Sequence, residues 1–139
     1  MHTTPNLSHL EAQIIISAIQ AELERRGKAA VIAVADAHGE LLALLRASGA
    51  PLPSILIAQN KAFTAARERR ASRDIGQASR HPTDGFDTRY FGDDRYIGWG
   101  GGIPVFVGGT CVGAVAVSGL AESEDIELAQ LGIDALTLG

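Results

Sequence analysis

Two pairs of short apolar runs, each split by a tight glycine turn, constrain the fold of this chain more than any other feature. Residues 29–36 (Ala-Ala-Val-Ile-Ala-Val-Ala-Asp) are β-branched at Val31, Ile32 and Val34 and are short for a helix. Asp36-Ala37-His38-Gly39 reads as a turn, because Asp accepts from its own backbone and Gly adopts positive φ freely. Residues 40–46 then return as a second strand. The pattern recurs at residues 103–107, Gly108-Gly109 and residues 110–118, where Gly-Gly suits the primed turns that match strand twist. Two hairpins imply an antiparallel sheet with helices on one or both faces. Pro104 lacks an N–H and is expected at a sheet edge or strand start.

Three helices are predicted around these hairpins. Residues 7–26 place Leu7, Leu10, Ile14, Ala18 and Ala21 on one face at three- and four-residue steps. Ser8 and Glu11 form a capping-box signal, and Gly27 after Arg25 and Arg26 is a stop. Residues 54–70 carry Ile55, Ala58, Ala62, Ala65 and Arg69 on one side, where the small residues suggest close packing on the sheet. Residues 123–137 form the last helix, with Ser123 as its expected cap and Glu124 and Asp125 at its positive end. Residues 73–101 are rich in Gly, Pro and polar residues. They read as a long irregular segment with one helical turn near 73–78, and such a loop is often functional.

The 139 residues suffice for one core, so a single domain over residues 1–139 is expected. With 46% hydrophobic but 5% aromatic residues, that core must be built from Ala, Val, Ile and Leu. The net charge of −4 lacks the basic excess of a nucleic-acid footprint. Cys111 is a single thiol in an apolar run, which excludes an internal disulfide and a Cys-based zinc motif. No apolar run reaches membrane length, and residues 1–10 lack the basic and apolar regions of a signal peptide, so a cytoplasmic location is expected.

The order helix, hairpin, helix, long loop, hairpin, helix carries three motif blocks. They are Val34 to Gly39 with Arg46 to Ala50; Ala58 to Ala66 around Lys61-Ala62-Phe63-Thr64-Ala65; and Gly100 to Val105 with Gly109 and Val112 to Gly119. Asp125 and Ala129 follow. This chain resembles the GlcG/HbpS heme-binding family, which includes the C-terminal domain of PduO-type proteins. It departs from the family pattern at Ser48, where Asp is usual, and at Ala116, where Gly is common. The resemblance implies a profilin-like α/β (α+β) fold with a central antiparallel sheet of about five strands flanked by helices. It also implies a homo-oligomer, often an octamer, and a link to heme.

Lys61 is the most pointed candidate, because a lysine among small apolar residues is desolvated and can act as a base or anion partner. It can equally form a structural ion pair, with Asp36 as the expected partner. Arg46, at a strand end before a Gly-containing loop, can fork two hydrogen bonds to a carboxylate, or make a surface or intersubunit salt bridge. The segment from Tyr90 to Gly102 concentrates the scarce aromatics. Tyr90, Arg95, Tyr96, Trp99, Gly100 and Gly101 are its ligand-binding candidates, and an oligomeric contact uses the same residue types. Gly100-Gly101-Gly102 lacks the Lys-Ser/Thr ending of a phosphate loop and precedes a strand. His81 is the candidate heme ligand, and Glu124 with Glu127 a weaker iron pair. Three functions stay open: a protein binding heme or a small organic acid; a cofactor-independent catabolic enzyme with Lys61 as base and Arg46 and Arg95 holding a carboxylate; and an oligomeric scaffold.

Overall fold

The computed structural model describes residues 1–136. Its elements run α1 (His9–Arg26), β1 (Val31–Asp36), β2 (Leu41–Arg46), α2 (Ser54–Glu68), α3 (Ser72–Ser79), a 3-10 turn (Thr88–Phe91), β3 (Gly102–Val107), β4 (Thr110–Ser118) and α4 (Glu122–Asp134). The sheet is antiparallel throughout, in the order β2-β1-β4-β3. It therefore has four strands among the described residues, not about five. Residues 73–101, the stretch left over, hold all but the first residue of α3, the 3-10 turn and irregular backbone whose Gly, Pro and polar composition supports no ladder.

Both turns take the expected geometry. Asp36 Oδ1 accepts the N–H groups of His38 and Glu40 at 2.9 and 3.0 Å, and Gly39 sits at φ +87°. Gly108 and Gly109 both have positive φ, as a primed turn requires. Pro104 lies on the edge strand β3, where its missing donor breaks no second ladder.

The central strands are apolar on both sides because both faces are covered. Ile32, Val34, Val115 and Val117 pack with Ile15, Ile19, Leu23 and Leu128 of α1 and α4. Val31, Ala33, Ala35 and Ala116 pack against Ala58 and Ala62 of α2 on the opposite face. The small residues let α2 lie close to the sheet, and this closeness determines which of its side chains reach the far end of β4.

α1 has the predicted caps: Ser8 Oγ accepts from Glu11 N at 3.2 Å, Glu11 Oε1 accepts from Ser8 N at 2.7 Å, and Gly27 closes the helix at φ +67°. Its buried face differs from the expected one. Ala12, Ile15, Ile19 and Leu23 are buried, whereas Leu10 and Ile14 are 60% and 50% exposed. Ile14-Ile15-Ile16 supports two stripes equally well, so periodicity alone cannot choose between them. α4 also departs from expectation. It begins at Glu122 after Ala121, with no side-chain cap, so Ser123 lies inside the first turn. Asp125 accepts the Leu120 N–H at 3.1 Å instead. The expected last residue of this helix, 137, lies outside the described residues.

Candidate functional site

Lys61 lies mid-way along α2 on the side facing the end of β4, and it is 3% exposed. Its Nζ donates to the Val117 carbonyl at 3.0 Å and to Asp125 Oδ2 at 3.3 Å. Asp125, also buried, ties three parts together: α4, the Leu120 backbone and Lys61. Asp36, the expected partner, instead caps its own turn.

Burial acts in opposite directions on this pair. Desolvation pulls the Lys61 ammonium below its ordinary range, against the attraction of Asp125 and Glu122. Desolvation likewise pushes the Asp125 carboxyl up, against Lys61 and the Leu120 N–H. Each group is thereby shifted toward its neutral form.

The glycine triplet is shaped around this lysine and Glu122. A Cβ at Gly101, which has φ +131°, would stand 2.5 Å from the Val117 carbonyl and 2.8 Å from Lys61 Nζ. A Cβ at Gly100 would meet Glu122 Cγ at 2.7 Å, and one at Gly102 would collide with the Lys61 carbonyl. Buried Ser72 clamps the triplet, donating to the Trp99 carbonyl at 2.7 Å and accepting from Gly102 N at 3.0 Å. The triplet is thus a cradle for a side chain.

Lys61 and Asp125 open into a cleft of about 370 Å³. Ser54 and Ser118 supply hydroxyls, Ile57 and Leu120 apolar wall, and Gly100 and Gly119 bare backbone. Trp99 stands on it 59% exposed, and Glu122, 3.3 Å from Arg73 Nε, is the second acid. The cleft is at the lower end of the size range of small-molecule sites. Its buried amine and acid, each pulled by desolvation toward the neutral form and set beside hydroxyls, can bind or move a proton on a small polar ligand.

Of the residues expected from sequence, Lys61, Trp99 and Gly100 line this cleft, and Gly101 backs it. The others lie elsewhere. Arg46 lines a separate cavity with Gln20, Glu24 and Lys28 and has no ion pair among the described residues. Arg95 lies 3.9 Å from the Phe63 ring centroid and pairs with Asp93 at 2.9 Å and Glu40 at 3.2 Å, holding the Asp93 carboxyl down at about 2. Tyr96 packs edge-on against Phe63 and Phe91, and Tyr90 is exposed. Thr64 anchors the loop to α2 by accepting from Ile97 N at 3.0 Å. His81 lies on another surface with Arg80, Phe86 and Asp87. Glu124 and Glu127 are engaged by Arg26, and Glu124 also by Lys28 at 2.6 Å. No group of three or more metal-ligating side chains occurs among the described residues.

Asp125, Ser54, Ser118 and Glu122 were not read from sequence as site residues. Asp125 and Glu122 carry the ordinary signature of a helix start, and their approach to Lys61 depends on how α4 packs. The one usable signal was that a buried lysine needs an acidic partner.

The fold and cleft define a small α+β protein with a helix-covered antiparallel sheet and a ligand-sized site at the end of β4. The chain belongs to the HbpS-like family, described as "Haem degrading protein HbpS-like", whose model matches residues 7–134. It is similar to the protein GlcG of Escherichia coli strain K12, 36% identical over 118 residues and covering 85% of each chain. Its fold matches the crystal structure of Klebsiella pneumoniae protein ORFY at a TM-score of 0.89, with 28% identity over 97% of this chain and 93% of that one. It also matches a Streptomyces reticuli HbpS double mutant at a TM-score of 0.85, with 25% identity over 98% of this chain and 90% of that one. No described helix is long and apolar enough to cross a membrane.

Proposed function

We propose that this chain is a small-ligand-binding protein whose site is the cleft over Lys61 and whose ligand is a small organic acid. The observation that carries this reading is a lysine Nζ buried in the wall of an open cleft with the chain's single tryptophan on it. An ammonium has three donors, and Val117 and Asp125 take two. We assign the third to a ligand oxygen, with the half-exposed indole of Trp99 offering a planar group a face. An arriving carboxylate meets Asp125 paired with Lys61, and protonation of this carboxyl, whose pKa is pushed up by burial, strengthens binding by removing its charge. Trp99 fluorescence reports the cleft directly. Titration with benzoate and pyruvate should give a saturable change that Lys61→Met weakens by about ten- to a hundredfold, the worth of a charge-assisted hydrogen bond. No saturable change with either acid refutes the reading.

Heme is the second reading, favoured by the family match over residues 7–134. The cleft does not fit iron held by an imidazole, because no histidine is among the residues lining it. His81 Nδ1 accepts the N–H groups of Thr83 and Asp84 at 3.2 and 3.0 Å. That places the neutral ring's proton on Nε2, and coordination through Nε2 would require giving up those contacts. A hemin titration followed at the Soret band separates the readings: a saturable shift that competes with benzoate supports heme at the cleft.

Self-association is part of the proposal. Leu52 and Leu56 of the α2 region and Leu41 of the edge strand β2 are 68%, 61% and 47% exposed, an apolar surface suited to a second copy. If Trp99 and Tyr96 became buried between copies with no ligand response, the scaffold reading would replace the binding one.

A further inference from the structure

The chain uses arginine for ten of its twelve cationic residues, and its two lysines are Lys28 and Lys61. Lys28 is half exposed and paired with Glu124 at 2.6 Å. Among the described residues the one buried cation is Lys61, and lysine is the type whose nitrogen can lose its proton and become a nucleophile. It lies on the wall of an open cleft, and Gly101 leaves bare the space that any side chain would take beside Nζ. A carboxyl sits 3.3 Å from that nitrogen, and two serine hydroxyls share the cavity.

We infer that Lys61 forms an imine with a carbonyl-bearing organic acid, a 2-oxo acid or an aldehyde acid, held in this cleft. The inference rests on the cleft being a ligand site. Asp125 takes the proton from the Lys61 ammonium. The freed lone pair attacks the carbonyl carbon, a C–N bond forms, and the carbonyl π pair moves to oxygen. That oxygen takes the proton back from Asp125, giving a carbinolamine. Loss of its hydroxyl, with a proton from nitrogen, releases one water and leaves C=N. The nitrogen keeps one proton, so the balance is ammonium plus carbonyl giving the protonated imine plus water, with Asp125 returned to its starting state and no oxidant or reductant. Burial supports the neutral amine that the first step needs. The neighbouring carboxyl is the proton carrier that both addition and dehydration need.

The test uses the full-length chain with pyruvate or glyoxylate and sodium cyanoborohydride, which reduces C=N to a stable secondary amine. Intact mass and peptide mapping compare Lys61 with Lys28 and the N-terminal amine in the same sample, so no variant need fold. Lys61 labelled several-fold faster than both other amines, with loss of that label in Lys61→Arg, supports the inference. Labelling at Lys28 or the N-terminus as fast as at Lys61 overturns it. Absence of Lys61 label while Trp99 fluorescence still titrates with pyruvate overturns the inference and leaves the binding site standing. Absence of both label and titration removes both. Because Lys61→Arg sets a larger head group in the tight space beside Gly101, the double variant Lys61→Met/Asp125→Asn, which removes both members of the buried pair, serves as a second unlabelled control.

Discussion

Asp125→Ala tests the buried pair most directly. The substitution removes the partner of an ammonium that is 3% exposed and leaves Lys61 Nζ with the Val117 carbonyl alone. It also orphans the Leu120 N–H, bonded at 3.1 Å in the native chain. Breaking a buried ion pair by removing one member costs about 3–5 kcal/mol, and the orphaned donor falls within that range. The loss depends on pH in a definite direction. With Asp125 gone, desolvation of Lys61 is unopposed at close range, so its folded pKa lies further below the unfolded one. The unfolded state then binds more protons, and stability must rise with pH between those two values. Urea unfolding at about pH 6 and about pH 9 should show the variant recovering at the higher pH, while Lys61→Met/Asp125→Ala loses less than Asp125→Ala alone at the lower one. A loss below about 1 kcal/mol, equal at both pH values, would refute the claim that Lys61 is a buried charge stabilised by Asp125.

Four further outcomes follow from the same geometry. Gly101→Ala places a Cβ at φ +131° against Lys61 Nζ and should cost about 1–3 kcal/mol in urea unfolding while abolishing the Trp99 response to benzoate. Benzoate affinity in the wild type should rise as pH falls through the raised Asp125 carboxyl, because protonation there removes a repulsive charge; fluorescence titrations across acidic to neutral pH check the sign. His81→Ala should leave any hemin Soret shift unchanged and cost about 1 kcal/mol, since its Nδ1 caps the turn at Thr83 and Asp84; a lost shift would make it the ligand after all. Leu56→Glu should move the protein to a smaller species in sedimentation equilibrium if α2 meets a second copy, and an unchanged mass would exclude that face.

Local signals were the dependable part of the sequence. The turn at Asp36 to Gly39, the turn at Gly108-Gly109, the Ser8/Glu11 box and the Gly27 stop each depend on residues within four positions of one another, and each appears as expected. Ser123 failed as a cap because a helix start is chosen by packing as well as by side-chain chemistry, and Asp125 satisfies the chain there instead. The face of α1 was misjudged because Ile14 and Ile15 are equally apolar. Within the site, Lys61 stood out as an ionisable group in an apolar setting, and Trp99 and Gly100 stood out by composition. Arg46, Tyr90, Arg95, Tyr96 and His81 share those residue types but lie outside the cleft.

Sequence by itself determined the two hairpins, the helices around them, the family and the lysine worth watching, because short-range chemistry and motif order are written in neighbouring residues. Tertiary structure alone decided that Lys61 meets Asp125, 64 positions away, rather than Asp36, and that Gly101 and Gly102 make room for it. The physical reason is that the pairing of a buried charge is settled by which elements pack over it. Here that choice was made by the thin alanine face of α2 against the sheet and by the approach of α4 to the end of β4.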